Sequence, residues 1–351
     1  MIDDDDVGLT ENTALTITGG TFTSPSGVDA VTRGQNDSNP VISGGSFSTV
    51  VPAEYCANGY IPTATPNAQG KYTVTKADNG VSITVDSTID TNFYLDNDYP
   101  STGYVKTTYN TNSNSSETAE FTSETKQLSE LGRVVGGDYA GDYKVSIPQA
   151  PAQITEDILV EVYATEAAAQ AGTNPLYTVN YNAAEYCKAV IASTGATSEL
   201  KALAQATLDY GAAAKDYFHY SAASAASDYA NRISGVTPSG VPAQTAGVLT
   251  CAALVVIADP QIKLFTNGPV AVNSASNANA AAEVSGDKNF IRVTGIAPAN
   301  FGQTFTVNTS AGEISMSMNT ILGMMAGNAN MEMLAKGMYN YGTAAAAYFG
   351  A

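Results

Sequence analysis

Residues 201–220 read KALAQATLDYGAAAKDYFHY, and residues 332–351 read EMLAKGMYNYGTAAAAYFGA. At an offset of 131, Leu203 aligns with Leu334, Tyr210 with Tyr341, Gly211 with Gly342, Ala213 with Ala344, Tyr217 with Tyr348 and Phe218 with Phe349. In the first stretch Leu200, Leu203, Thr207, Tyr210, Ala214 and Tyr217 fall three and four apart. Met331, Leu334, Met338, Tyr341, Ala345 and Tyr348 do so in the second. That spacing puts each set on one face of a helix, so the stripe reads as core rather than as a sugar-stacking platform. A glycine inside a helix costs about 1 kcal/mol relative to alanine. Its recurrence among alanines therefore points to close approach of another element. Ser198 reads as the N-cap of the first helix, with Glu199 in its first turn.

Upstream of each helix a second pair of motifs aligns. Residues 150–154 read APAQI and residues 297–301 read APANF, an offset of 147. The match runs on through Ile158/Phe305 and Val160/Val307. The smaller offset downstream requires shorter loops in the second copy, and residues 165–174 are the extra stretch in the first. Alternation predicts strands at 81–85, 104–109, 143–147, 158–163 and 177–181, then at 254–257, 262–265, 290–293, 305–307 and 314–316. Short helices are expected near 183–191 and 320–325. Residues 78–220 and 246–351 thus read as two homologous β-sandwich-like or α+β modules, each closed by a helical hairpin. Residues 221–245 read as an Ala/Ser/Pro/Gly linker.

The first 76 residues carry a different repeat. Residues 17–23, ITGGTFT, return as ISGGSFS at 42–48, a period of 25. A fixed period in this range marks a repeat architecture. The expected form is the C-terminal end of a right-handed parallel β-helix, with each Ile inward, each Gly-Gly at a corner and each Phe over the next edge. Val28, Ala30 and Val31 are expected to add a short strand. Residues 50–60 break the period, and 71–74 read as a closing strand that caps the stack. The overall expectation is a mainly β chain with helices.

These motifs resemble known sequences. The order GGSFSTVVPAEYCANGYIP followed by GKYTV is similar to a coil-ending segment in large, multi-domain surface proteins of gut-dwelling Gram-positive anaerobes. LDYGAAAKDYF and NYGTAAAAYF resemble a module-ending element of the same proteins. The resemblance implies a location outside or on the cell surface; two coils cannot bury their own faces, so further coils are expected upstream. It supplies no catalytic residues. Residues 1–15 hold four aspartates where a signal peptide needs positive charge and an apolar run, so the expectation is that the biological start lies upstream. A cytoplasmic protein beginning at Met1 is the competing reading.

Composition narrows the chemistry. Thirty-three Asp and Glu against fifteen Lys and Arg give a formal charge of −18. Such a surface repels phosphate backbones and acidic lipid, which argues against nucleic-acid partners. No apolar run reaches the length of a membrane span. Three widely spaced cysteines, Cys56, Cys187 and Cys251, read as small buried hydrophobes. His219 is the sole histidine, it has Gly350 as its counterpart, and no GxSxG elbow accompanies it. Asp29, Glu54, Asp138 and Asp142 are available as paired carboxylates for glycoside cleavage, and Asp29 with Arg33 for a lyase-type site on a coil face. No motif surrounds them. Asp96 and Asp98, or residues 3–6, offer hard oxygen ligands for calcium but lack the distal glutamate of a calcium loop. No catalytic residue, cofactor or metal is therefore expected. The functional expectation is a non-catalytic segment of an exported bacterial surface protein, a spacer or an adhesion module that contacts an extracellular glycan or a host or cell-wall surface. The alternative is an accessory, carbohydrate-binding portion of a carbohydrate-active enzyme such as a β-helix polysaccharide lyase.

Overall fold

A computed structural model describes residues 15–33, 39–63, 66–85, 88–111, 121–245, 247–256 and 260–350. The described chain is mainly β, with six α-helices and several sheets, none closed into a barrel. Among the described residues no helix is long and apolar enough to cross a membrane.

The period of 25 reappears as strand register. β1 (Thr16–Ile17) pairs in parallel with β3 (Val41–Ile42), and β2 (Thr21–Phe22) with β4 (Ser46–Phe47); Ile17 lies opposite Ile42 and Phe22 opposite Phe47. Ile17 and Ile42 are buried, and the two phenylalanine rings stack with centroids 5.1 Å apart. The glycine pairs have separate jobs. Gly20 and Gly45 adopt φ of +109° and +117°, which an L side chain rarely tolerates. A Cβ on Gly44 would lie 2.5 Å from the Thr18 carbonyl oxygen in the neighbouring turn of chain. Ala30 and Val31 are buried as expected, but they form no continuous strand. The 3-10 turn Ala53–Tyr55 and the antiparallel pair β5 (Tyr60–Pro62) and β6 (Tyr72–Lys76) close this region, with β6 also pairing β4.

The next region holds β7 (Gly80–Val85), β8 (Ile89–Leu95), β9 (Tyr104–Asn110), β10 (Phe121–Gln127), β11 (Tyr143–Gln149), β12 (Ile158–Tyr163) and β13 (Tyr177–Tyr181). They form two sheets, β11-β8-β7 and β10-β9-β12-β13, antiparallel throughout. Phe93, Leu95 and Val145 of one sheet and Val105, Val160 and Val162 of the other belong to one buried cluster. Each such side chain contributes about 1.5–3 kcal/mol on burial. The extra stretch at 165–174 contains α1 (Glu166–Ala171), capped by the Thr165 side chain. α2 (Ala183–Ala192) and α3 (Ser198–Phe218) follow. The N-cap of α3 is Thr197, whose side chain accepts from Leu200 N–H, and Ser198 is the first helical residue. The sequence offered two adjacent hydroxyl residues, and the chain turns one residue earlier than expected.

Residues 221–245 are more than a connector. They carry α4 (Tyr229–Ile233), whose Arg232 makes a bidentate ion pair to buried Asp209 on α3, with N···O distances of 2.7–3.1 Å. Beyond it come β14 (Leu249–Val255), β15 (Gln261–Thr266), β16 (Val272–Ser276), β17 (Asn279–Ser285), β18 (Lys288–Thr294), β19 (Phe305–Thr309) and β20 (Gly312–Met316). Their sheets are β14-β15-β18-β17 and β16-β19-β20. α5 (Met318–Ala326), with a Ser317–Thr320 capping box, and α6 (Glu332–Phe349) close the region.

The two long helices pack on each other. Tyr210 of α3 and Tyr341 of α6 are stacked with centroids 5.3 Å apart, and Gly337 lies against Tyr210 and Ala213. The helix-interior glycines do face another element. A Cβ on Gly211 would run into Ile154, and one on Gly342 would meet the Phe301 ring at 2.5 Å. The stripe is core as far as Ala214 and Ala345 and no further. Tyr217 and Tyr348 are 37% and 39% exposed, because each helix outruns the element it packs on.

Candidate functional site

A cleft of about 510 Å³ lies between the two β-plus-helix regions. β7 contributes Ile83 and Val85, α2 contributes Tyr186 and Val190, and the end of α6 contributes Tyr348 and Phe349. None of its lining residues is ionisable as an acid or base near neutral pH; Thr84 and two tyrosine hydroxyls are the polar groups. The helix termini explain why aromatics gather here. α6 ends at Gly350 in the left-handed conformation, φ +71°, which lets the last turn stop while Tyr348 and Phe349 stay helical. Their rings meet edge to face at 4.9 Å, and Phe349 is 53% exposed. Burial, then the nearby Cys187, Tyr348, Tyr94 and Tyr139, raise the Tyr186 phenol above its ordinary range. It remains a neutral hydroxyl that both donates and accepts.

Two of those neighbours form a second aromatic element. Tyr94 on β8 and Tyr139, from the connection between β10 and β11, lie parallel at 4.2 Å with an interplanar angle of 5°. Gly80 makes room for Tyr139, since any Cβ there would enter its ring. Ser82 Oγ and Tyr94 OH are 2.9 Å apart, which fixes the phenol. Burial raises Tyr139, as do the charges of Asp78, Asp138 and Asp142, so negative charge flanks this end.

The residues singled out in the sequence sit elsewhere and are differently employed. His219 is exposed and occupies the left-handed position after α3, φ +55°; Gly350 holds the matching place after α6. Asp29, Arg33 and Glu54 are all exposed and act together on Tyr55, whose phenol is raised first by burial. Arg33 donates to Asn39 Oδ1 at 3.0 Å. Asp138 is exposed, while Asp142 is buried and accepts Asn97 N–H at 3.2 Å. Burial is the main cause holding the Asp142 carboxyl above its ordinary range.

Asp96 accepts backbone N–H groups on both carboxylate oxygens, from Asp78 at 2.6 Å and from Asp98 at 2.9 Å. Asp98 is raised by burial and by the Asp96 charge. This is turn chemistry, with the oxygens already engaged. Among the described residues no three His, Cys, Asp or Glu side chains converge as metal ligands. Residues 3–6 lie outside the described residues. Burial pushes the Cys56 and Cys187 thiols up to about 12, which leaves almost no thiolate at neutral pH. Cys251, read as a buried hydrophobe, is exposed on strand β14, which is at a sheet edge.

Sequence reading placed Tyr348 on a core stripe and passed over Tyr94, Tyr139 and Tyr186. Tyr94, Tyr139, Tyr186, Tyr348 and Phe349 come from four distant segments with no shared motif. The one usable signal was the Tyr-Phe pair lying past the last buried alanine of α6. Compared with protein-family models, with curated proteins and with solved structures, the chain matches none.

Proposed function

We propose that the chain is a non-catalytic segment of an exported bacterial surface protein, in which the end of a right-handed parallel β-helix leads into two homologous β-sandwich-like modules that contact a glycan. The duplication is supported by where the two sequence offsets meet. Gly211 sits on Ile154 of APAQI, and Gly342 sits on Phe301 of APANF. Tyr210 stacking on its own counterpart Tyr341 is the contact a two-fold-related pair makes. The coil reading is supported by parallel pairing at the repeat period.

The glycan reading rests on one observation: the cleft between the modules sets Tyr186, Tyr348 and Phe349 among aliphatic side chains, with no charged side chain among its described lining residues, inside a chain of net charge −18. Aromatic rings with attached hydroxyls offer an apolar face and polar tips together, which suits a neutral sugar. No nucleophile–base pair accompanies the cleft, so the role is binding and spacing. The test is a glycan array probed with the full chain, printed with neutral host, plant and cell-wall glycans. Retention of neutral glycans that is lost in Phe349→Ala supports the reading, and silence across the array leaves a spacer alone.

A further inference from the structure

β9 and β16 hold the same place, since each pairs the strand that pairs the last strand of its region. The outer edge of β9 is filled by β10, antiparallel along its whole length. Among the described residues β16 pairs β19 alone. Only Asn277 and Ala278 join β16 to β17, so the bare edge and β17 lie on the same side of the two sheets. β17 is the fourth strand of its sheet, and the sheet of β16 has three. Register shows what β17 turns toward the gap. Ala280 and Ala282 lie opposite Val293 and Ile291, which belong to the buried cluster, and Val284 follows on the same face. Ala282 is exposed and Val284 is 69% exposed. Glu283 is on the other face, where it accepts from Arg292 at 2.6 Å. The inward face of β10 is different. It carries Thr122, Glu124 and Lys126 opposite Tyr109, Thr107 and Val105, with Glu124 and Lys126 ion-paired at 3.1 Å. Inward-pointing charge keeps an edge from taking up a further strand. The second region lacks it: residues 264–282 hold no Asp, Glu, Lys or Arg in a chain of net charge −18. β16 has no proline, and its bulge between Val272 and Ser274 leaves residues 274–276 in regular register.

We propose that this gap is a strand-addition site, in which an extended peptide of another protein pairs antiparallel with β16 and packs alternate apolar side chains against Ala280, Ala282 and Val284. The site is separate from the cleft and independent of the glycan reading. The form of the occupant follows from β10, an antiparallel strand in the matching place of the first region. Backbone hydrogen bonds to the edge supply affinity, and the alternate side chains supply specificity. Facing alanines leave room for β-branched side chains, and a charge set against them would lose its water without gaining a partner. A second copy cannot supply the strand by pairing its own β16 antiparallel. The two-fold axis of that pairing puts both four-stranded sheets on one side, where β17 of one copy would meet β18 of the other.

Isothermal titration of the full chain with short peptides that alternate threonine with alanine, valine, isoleucine or leucine tests this. Each peptide carries a terminal lysine for solubility, and salt of about 0.3 M screens the net charge. The valine or isoleucine peptide is expected to bind, and to slow amide exchange at residues 272–276. A central proline, which removes a donor from the ladder, should weaken it at least about tenfold. Ala282→Glu combined with Val284→Lys gives β17 the inward charges of β10 at unchanged net charge, and should weaken binding at least about tenfold. Ala281→Glu combined with Ser285→Lys alters the opposite face of the same strand and should leave binding intact. Unaltered thermal unfolding of both double variants excludes a folding defect. No binding of any peptide at about 1 mM, binding without slower exchange at residues 272–276, or binding indifferent to the inward charges overturns the site. A doubled molar mass of the peptide-free chain in sedimentation, abolished by Ala282→Glu with Val284→Lys, makes the occupant a second copy and overturns the peptide partner.

Discussion

Residues 80–218 and residues 249–349 each place seven strands in two sheets ahead of a helical pair, yet they distribute the strands as three plus four and four plus three. The strand that changes sides is β10 in the first and β17 in the second. β10 pairs β9, whereas β17 pairs β18. The connections flanking the two strands also differ, although two residues join β17 to β16 as well as to β18. Only Gly286 and Asp287 separate β17 from β18, with Gly286 at φ +61°, so a hairpin is enforced. Residues 128–142 separate β10 from β11, long enough to cross between sheets, and β10 stays with β9. The core strands β8, β11, β9 and β12 keep the same partnerships as β15, β18, β16 and β19. The long connection also carries Tyr139, for which the two-residue connection of the second region has no room.

If the regions are equivalent at their helices, Tyr210→Ala and Tyr341→Ala should each cost about 3–5 kcal/mol, as large aromatic truncations in cores do. The double variant should fall short of the sum by about 0.5–1.5 kcal/mol, the worth of a stacked pair. Urea unfolding measures all three, and full additivity would break the equivalence.

The next effect tests an asymmetry. Asp209 is buried, but its counterpart Asn340 is neutral and partly exposed. Arg232→Ala leaves the Asp209 charge without its cation and should cost about 2–3 kcal/mol. In an Asp209→Asn background the same change should cost well under 1 kcal/mol. Equal costs in the two backgrounds would mean that Arg232 acts by packing alone.

Gly342→Ala should destabilise by about 1–2 kcal/mol, since crowding the buried Phe301 ring outweighs the gain of about 1 kcal/mol in helix propensity. Gly211→Ala should cost about as much, because its Cβ would press on the buried Ile154 side chain and on the Pro151 carbonyl oxygen. Clearly unequal costs in thermal unfolding would show the two seats to be unlike.

The smallest expected effect is alkaline. Tyr220 donates to Glu156 Oε1 at 2.6 Å and is pushed up to about 12, by burial first and then by Glu156. The unfolded chain loses this proton near its ordinary pKa of about 10, so stability is intact below that pH and declines as pH rises from there to about 12. Tyr220→Phe should flatten this part of the pH–stability curve. An unchanged slope would assign it to other tyrosines.

Much of this was legible in the sequence where a physical repeat forces identity. The period of 25 became a strand register, and the recurring helix glycines do face another element, Ile154 and Phe301; that the two helices also pack on each other had no signal in the sequence. What was missed lacked a pattern. β8 buries Thr91 and Asn92 as well as Phe93, because Gln149, Ser82, Thr84 and Ser146 satisfy those polar groups; alternation therefore fails along it. β10 reads FTSETKQ and β17 reads NAAAEVS; both are edge strands with little apolar demand. The cleft was illegible because Tyr186 and the Tyr348–Phe349 pair meet only once the two regions dock.

The buried cluster that begins at Val85 and Cys187 runs without a break through α3 and α6 into Ile291 and Val307. The first region's two sheets keep a cluster of their own, but its helices share one interior with the second region. Heating should melt them as one cooperative unit, with a single calorimetric peak whose van't Hoff and calorimetric enthalpies agree, and a chain cut between them should hold together until that temperature is reached.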